Sequence, residues 1–218
     1  MDFLKENKMH RSFQILATAL GLLLITISTS TAQVPSDCTV SSDTVARIRQ
    51  MLTAPDNATF FDLWSTQDIA CACIDIYYND PPSAMFHNQV VRGAIVLLGQ
   101  TADPRAVPVL IDAIDTHGPQ ALYALGNFPT VEALKALTAN VRNEDDESRE
   151  NSAEGLRRMS PPKAGEIPDG WSAALKAAIK EVEAWLPKEK EPTFLDYLKD
   201  ARENLKKLLT QAASAGTN

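Results

Sequence analysis

The sequence has few cysteines and few aromatic residues, and each shortage excludes a class of protein. Three cysteines in 218 residues cannot replace a hydrophobic core, so a small disulfide-stapled scaffold is excluded. Nine glycines and 13 prolines are too few for collagen or a low-complexity chain. With 44% apolar and 22% charged residues, the composition is that of a globular protein.

Positive charge is also scarce. The chain has 21 Lys and Arg residues against 28 Asp and Glu residues, a formal net charge of −7. Such a chain, without a cluster of basic residues, repels phosphate backbones, so nucleic acid is not expected as a partner.

The first 32 residues have the pattern of a secretory signal peptide. Three basic residues precede an apolar run at residues 13–27, and Ser30 and Ala32 are small residues at the positions that a signal peptidase reads. The run is shorter than the roughly 20 residues that span a membrane, which disfavours the alternative of an uncleaved anchor. We therefore expect cleavage after Ala32 and a periplasmic or secreted protein with no membrane contact afterwards.

A 27-residue repeat organises the middle of the chain. Sliding the sequence against itself at this offset superposes small and apolar positions, among them Ala94, Leu98, Gly99 and Leu110 on Ala121, Leu125, Gly126 and Leu137. A looser third copy follows after 31 residues, and the acidic residues 143–150 supply the longer loop. Spacings of three and four between apolar positions indicate that the unit is a pair of helices.

Each helix of the unit has its own end signals. Asp103 and Pro104 predict an N-cap followed by proline at the first helical position. The second helix is expected to end at Leu-Gly, where Gly99 and Gly126 would adopt the left-handed conformation just after the helix.

The segments Gly-Ala-Ile-Val-Leu-Leu-Gly, Asp-Pro-Arg-Ala-Val-Pro-Val-Leu-Ile and Ala-Leu-Tyr-Ala-Leu-Gly resemble the short HEAT-like repeats of bacterial α-solenoids and bilin-lyase relatives. The resemblance covers about residues 83–159. It implies stacked antiparallel helix pairs whose second helices line a concave face that holds a protein or a peptide. The arginine that usually opens the second helix in this family matches Arg92 but becomes Pro119 one repeat later, which interrupts any continuous charged ladder.

We predict an all-α fold, a short α-solenoid with helical N- and C-terminal caps. Thr193 and Asp196 have the spacing of a capping box at the start of the last helix, and Ser65 and Asp68 have the same spacing upstream. The expected segments are a signal peptide (1–32), an N-terminal helical cap segment (33–82), HEAT-like repeats (83–160) and C-terminal capping helices (161–218).

The three cysteines point to one disulfide. Cys71 and Cys73 are two apart on a predicted helix, hence about 200° apart around its axis, and cannot ligate a metal from one face. The simplest interpretation pairs Cys38 with Cys71 and leaves Cys73 as a buried thiol, although sequence alone leaves other pairings open. The chain has no Cys-x-x-Cys redox motif.

No catalytic residue, metal site or cofactor is expected. His87 shares a helical face with apolar residues, and His117 belongs to a turn. The sequence has neither Gly-x-Ser-x-Gly nor His-Glu-x-x-His. The acidic run at residues 144–147 lacks the alternating ligands of a calcium loop and is typical of solvated residues before a helix.

The remaining candidate is the exposed face of the second helices. The repeat register places Val96, Tyr123 and Glu154 at equivalent positions. We name this face, with its neighbours, the second-helix strip; its candidate partner-binding residues are Arg92, Val96, Gln120, Tyr123, Asn127, Asn151, Glu154 and Arg158.

Two hypotheses follow for the function of this strip, and an ordinary solvated helix face is the alternative to both. The favoured one is a non-catalytic exported module that binds or scaffolds another protein, at a surface for a protein or peptide. The other is a ligand- or chromophore-binding lyase-like protein, which would need an apolar cavity with a polar group directed into it.

Overall fold

The computed structural model describes residues 34–53, 65–80, 87–163 and 166–215. The predicted signal peptide and the side chain of His87 lie outside the described residues. Within these ranges the chain forms α-helices and no strand, which confirms the all-α prediction. The helices are α1 (Ser42–Thr53), α2 (Thr66–Asn79), α3 (His87–Thr101), α4 (Ala106–Asp112), α5 (Ile114–Leu125), α6 (Val131–Asn140), α7 (Asp146–Arg158), α8 (Trp171–Trp185) and α9 (Pro192–Ala215).

From α2 onward the helices alternate between two layers. Helices α2, α4, α6 and α8 form the first layer, and α3, α5, α7 and α9 form the second. Each first-layer helix packs against the second-layer helix that follows it, and neighbours within a layer pack side by side. Helix α1 packs on α2 and α3, and the pair α8–α9, expected as a cap, continues both layers.

The core lies between the two layers as one apolar cluster. The repeat positions Leu98, Leu110, Leu125 and Leu137 are completely buried in it. Each such side chain contributes about 1.5–3 kcal/mol by leaving water. The 27-residue offset therefore marks the positions that hold the layers together.

Side-chain hydrogen bonds cap the starts of α2 and α9. The Ser65 hydroxyl accepts a hydrogen bond from the Asp68 N–H at 3.1 Å and donates one to its carboxylate at 2.7 Å, which confirms the capping prediction there. The Thr193 prediction is wrong, because α9 begins at Pro192 and Thr193 therefore lies inside the helix. The Glu191 carboxylate caps it instead, accepting from the Phe194 N–H at 2.6 Å.

The prediction for the repeat glycines is also wrong. Gly99 lies inside α3, Gly126 keeps right-handed helical geometry with φ −59°, and the left-handed residue that follows α3 is Ala102 with φ 53°. A Cβ on Gly99 would lie 2.7 Å from the Cβ of Ala124, and one on Gly126 only 2.6 Å from the Cα of Gly155. These glycines allow adjacent second-layer helices to approach closely.

The N-terminal segment is tied to α2 by a disulfide between Cys38 and Cys71, 33 residues apart. This confirms the predicted pairing. Cys73 is a free, buried cysteine, and burial raises the pKa of its thiol. Arg105 holds the same segment by donating to the Asp37 carbonyl at 3.2 Å.

Candidate partner-binding surface

Two exposed apolar side chains mark the second-helix strip. Val96 on α3 is 41% exposed and Tyr123 on α5 is 42% exposed. Among the described residues, the only other large apolar side chain with such exposure is Ile167, at 36%. Val96 and Tyr123 are equivalent in the repeat register, so consecutive second-layer helices present apolar groups at the same height.

The ring of Tyr123 stacks against Arg158 from the next second-layer helix. The guanidinium carbon lies 3.8 Å from the ring centroid, within the range of a cation–π contact. The same guanidinium donates through Nη2 to the Tyr123 carbonyl at 3.0 Å and to the Asn127 Oδ1 at 2.8 Å. The tyrosine ring is therefore held in place although much of it faces solvent.

Asn127 extends this contact to α3. Its Nδ2 donates to the Gly99 carbonyl at 2.6 Å. Carbonyls in the last turn of a helix have no partner in their own helix. Asn127 thus gives the end of α3 a hydrogen-bond partner. Arg158 adds a second donor to the Tyr123 carbonyl, which also accepts from the Gly126 N–H at 3.3 Å.

Asn204 makes the same kind of contact between α9 and the end of α7. From α9 it donates to the carbonyls of Leu156 and Met159 at 2.9 Å and 3.0 Å. Sequence reasoning missed Asn204, since the 27-residue register does not reach α9. The sequence signal for the two earlier contacts is a hydrogen-bond donor at equivalent positions of the repeat, Asn127 and Arg158.

The other predicted strip residues do not join this network. Arg92 is exposed on α3, and Gln120 is half-buried on α5. Asn151 donates to a carbonyl one turn earlier in its own helix. Glu154 accepts two hydrogen bonds from Arg157, at 2.6 Å and 2.8 Å, which raises the pKa of that arginine.

Helix α5 has a kink near Pro119, the residue that replaces the arginine of the family pattern. His117 has non-helical angles, φ −138° and ψ 42°, and Pro119 follows it inside the helix. Proline has no N–H for the helical ladder and clashes with the preceding turn. The predicted turn at His117 is thus a break within α5, and the part after it carries Gln120 and Tyr123.

Outside the strip, the described residues offer little reactive chemistry. They contain no group of three or more His, Cys, Asp or Glu side chains able to hold a metal ion. The Tyr77 hydroxyl donates to the Asp112 carboxylate at 3.1 Å, and burial together with this negative charge raises the pKa of Tyr77 to about 12. A surface cavity of about 300 Å³ lies between the segment that precedes α8 and the C-terminal part of α9, with Ile167, Trp171 and Leu208 among its lining residues.

None of the described helices combines enough length with enough apolar character to cross a bilayer.

Comparison with known proteins gives one match. Residues 90–116 match the family model of the PBS lyase HEAT-like repeat. This range comprises most of α3, all of α4 and the start of α5, and its length equals the repeat period. Comparisons with curated proteins and with solved structures gave no match. The matched unit shows that the chain contains a HEAT-like repeat, and the layered helix pairs give the described residues an all-α, solenoid-like fold.

Proposed function

We propose that this protein is an exported, non-catalytic module that binds another protein through its second-helix strip. HEAT-like repeats commonly mediate protein interactions, and stacked repeats offer extended surfaces for them. The observation that carries the proposal is the exposed Tyr123 ring, held by Arg158 at 3.8 Å.

A held tyrosine suits binding. Tyrosine combines a large apolar area with a hydrogen-bonding hydroxyl, and Tyr and Arg are enriched among residues that dominate binding energy. Ordering a side chain on binding costs free energy, and a side chain that is already ordered avoids part of that cost. The contact between Tyr123 and Arg158 supplies this order in the unbound protein.

Two features support export. Residues 1–32 have the basic, apolar and small-residue pattern of a signal peptide. The disulfide between Cys38 and Cys71 is of a kind that persists in oxidising compartments and is rare in the cytosol.

Affinity capture from the envelope fraction of the native host tests the binding function. Wild type, Tyr123→Ala and Ile167→Ala would be compared by quantitative mass spectrometry. Ile167→Ala is the matched control, since it removes a comparably exposed apolar side chain outside the strip. We expect proteins that wild type and the control retain to be lost with Tyr123→Ala. Equal capture by all three would contradict the proposal.

A further inference from the structure

Three equivalent positions of the second-layer helices, Arg92 in the strip and Pro119 and Glu150 beside it, carry charge in the order positive, neutral, negative. Offsets of 27 and 31 residues relate Arg92 on α3 to Pro119 on α5 and to Glu150 on α7. Arg92 and Glu150 are both exposed. Neither forms an ion pair with a described residue. These two charges are therefore available to a partner.

The other charges near the centre of the strip are already compensated inside the protein. Glu154 is bound by Arg157 in its own helix. Arg158 is engaged with Tyr123 and Asn127. What remains is a positive group on α3, apolar groups in the middle, and a negative group on α7.

The dimensions of this pattern favour a narrow partner. Adjacent helices pack about 8–10 Å apart, so α3 and α7 are separated by about 16–20 Å. Residues 92–100 of α3 extend about 13 Å along the helix axis. The patterned area is then about 210–260 Å², about a third of the roughly 800 Å² that each partner buries in a standard interface between folded proteins. An extended strand rises about 3.3 Å per residue, so five or six residues cross it.

We propose that the strip binds an extended peptide segment with an acidic residue over Arg92, an apolar residue against Val96 and Tyr123, and a basic residue over Glu150. The acidic and basic residues are five or six positions apart. This inference rests on the proposed function of the strip as a protein-binding surface, and it adds the chemistry of the partner. Glu147, exposed one turn before Glu150, strengthens the attraction for the basic residue.

Selection from a displayed library of random nonapeptides tests this pattern on the full chain. We expect enrichment of sequences with an acidic and a basic residue five or six positions apart and an apolar residue between them. Arg92→Glu should weaken binding of a selected peptide about five- to tenfold, because an attractive exposed pair becomes a repulsive one. Changing the acidic residue of the peptide to lysine should restore binding to this variant.

Lys135→Glu is the control for net charge. It makes the same charge change at an exposed position of α6 in the first layer, and binding should not change. Glu150→Lys is the second test variant, with the complementary expectation that an acidic residue replaces the basic one in the peptide. Circular dichroism verifies that each variant is folded.

The outcomes separate the two proposals. Selected peptides without the acid–base spacing, binding that is indifferent to both charge reversals, or a selection with no enriched peptide would overturn the peptide chemistry. If enriched peptides lack the spacing but still require Tyr123, the strip remains a binding surface and only the peptide chemistry is wrong. If Tyr123→Ala also leaves peptide binding and envelope capture unchanged, both proposals fail.

Discussion

Replacing Gly126 with alanine tests the close approach of α5 and α7. The new Cβ would lie 2.6 Å from the Cα and 3.0 Å from the carbonyl oxygen of Gly155. Both are backbone atoms, so no side-chain rotation relieves the overlap and the helices must move apart. Such overpacking costs about 1–3 kcal/mol or more, while the gain in helix propensity is at most about 1 kcal/mol. We expect a net loss of about 2 kcal/mol.

Gly93→Ala is the matched control for this prediction. Gly93 lies inside α3, and a Cβ there would meet the Cδ2 of Leu52 at 2.9 Å. That atom ends a flexible side chain, which can rotate away. The gain in helix propensity then offsets most of the strain, and we expect the free energy of unfolding to change by less than about 1 kcal/mol.

Thermal and urea unfolding, followed by far-UV circular dichroism, measure both variants. A loss of about 2 kcal/mol corresponds to a Tm lower by roughly 4–8 °C in a chain of this size. Gly126→Asn separates packing from a left-handed helix end, because asparagine tolerates that conformation but is larger than alanine. Close packing predicts that asparagine is worse than alanine. A Gly126→Ala variant as stable as Gly93→Ala would refute the packing explanation.

Three further predictions concern stability. Tyr123→Ala should lower the free energy of unfolding by less than about 1 kcal/mol, whereas Leu125→Ala, at a completely buried position, should lower it by about 2–5 kcal/mol; equal melting temperatures would remove Tyr123 from the strip. Thiol titration of the denatured, unreduced protein should find one thiol, Cys73, and reduction of the disulfide, which joins residues 33 positions apart, should cost roughly 3–4 kcal/mol; three thiols without reductant would contradict the bridge. The hydrogen bond from Arg105 lowers the pKa of Asp103 below 3.8, so its stabilising effect is complete above that pH and lost as the pH falls through the folded-state pKa. Urea unfolding across pH should therefore show that the advantage of wild type over Asp103→Asn shrinks in acid, and a constant difference would count against this pair.

The layered fold could be predicted because each repeat must bury the same face. Ala94 and Ala121, or Leu110 and Leu137, occupy the same place in successive helix pairs, and all four are completely buried. Their recurrence at one offset is a local pattern that the sequence displays directly. The continuation by α8 and α9 could not be recognised in this way, since the segment between α7 and α8 is longer and hides the period.

The conformation of Gly99 and Gly126 could not be predicted from the neighbouring sequence alone. A glycine after a leucine at the end of an apolar stripe is typical of a left-handed helix end. The same residue also allows two helices to approach closely, and the two roles look alike in sequence. Which one applies at Gly126 depends on Gly155, 29 positions later. The spacing between α5 and α7 is set by the packing of the whole second layer and is not encoded in the local sequence around Gly126.

Exposure was predictable at Val96 and Tyr123, but the contacts of the strip were not. Four other strip residues are half-buried, namely Gln120, Asn151, Glu154 and Arg158. Val96 and Tyr123 fall outside the apolar stripe of their helices, which is sufficient to predict exposure. The stacking of Arg158 on Tyr123 depends on the lateral offset and rotation between α5 and α7, which no periodicity encodes.

The same close packing links the core of the protein to its surface. Because Gly126 and Gly155 bring the backbones of α5 and α7 together, the guanidinium of Arg158 reaches both the ring and the carbonyl of Tyr123. A wider separation would break the hydrogen bond first, since hydrogen bonds weaken steeply with distance and angle. The order of the exposed tyrosine thus depends on two buried glycines that no partner touches. Substitutions at Gly126 or Gly155 should therefore weaken the contact between Arg158 and Tyr123, although neither of these two strip residues is changed.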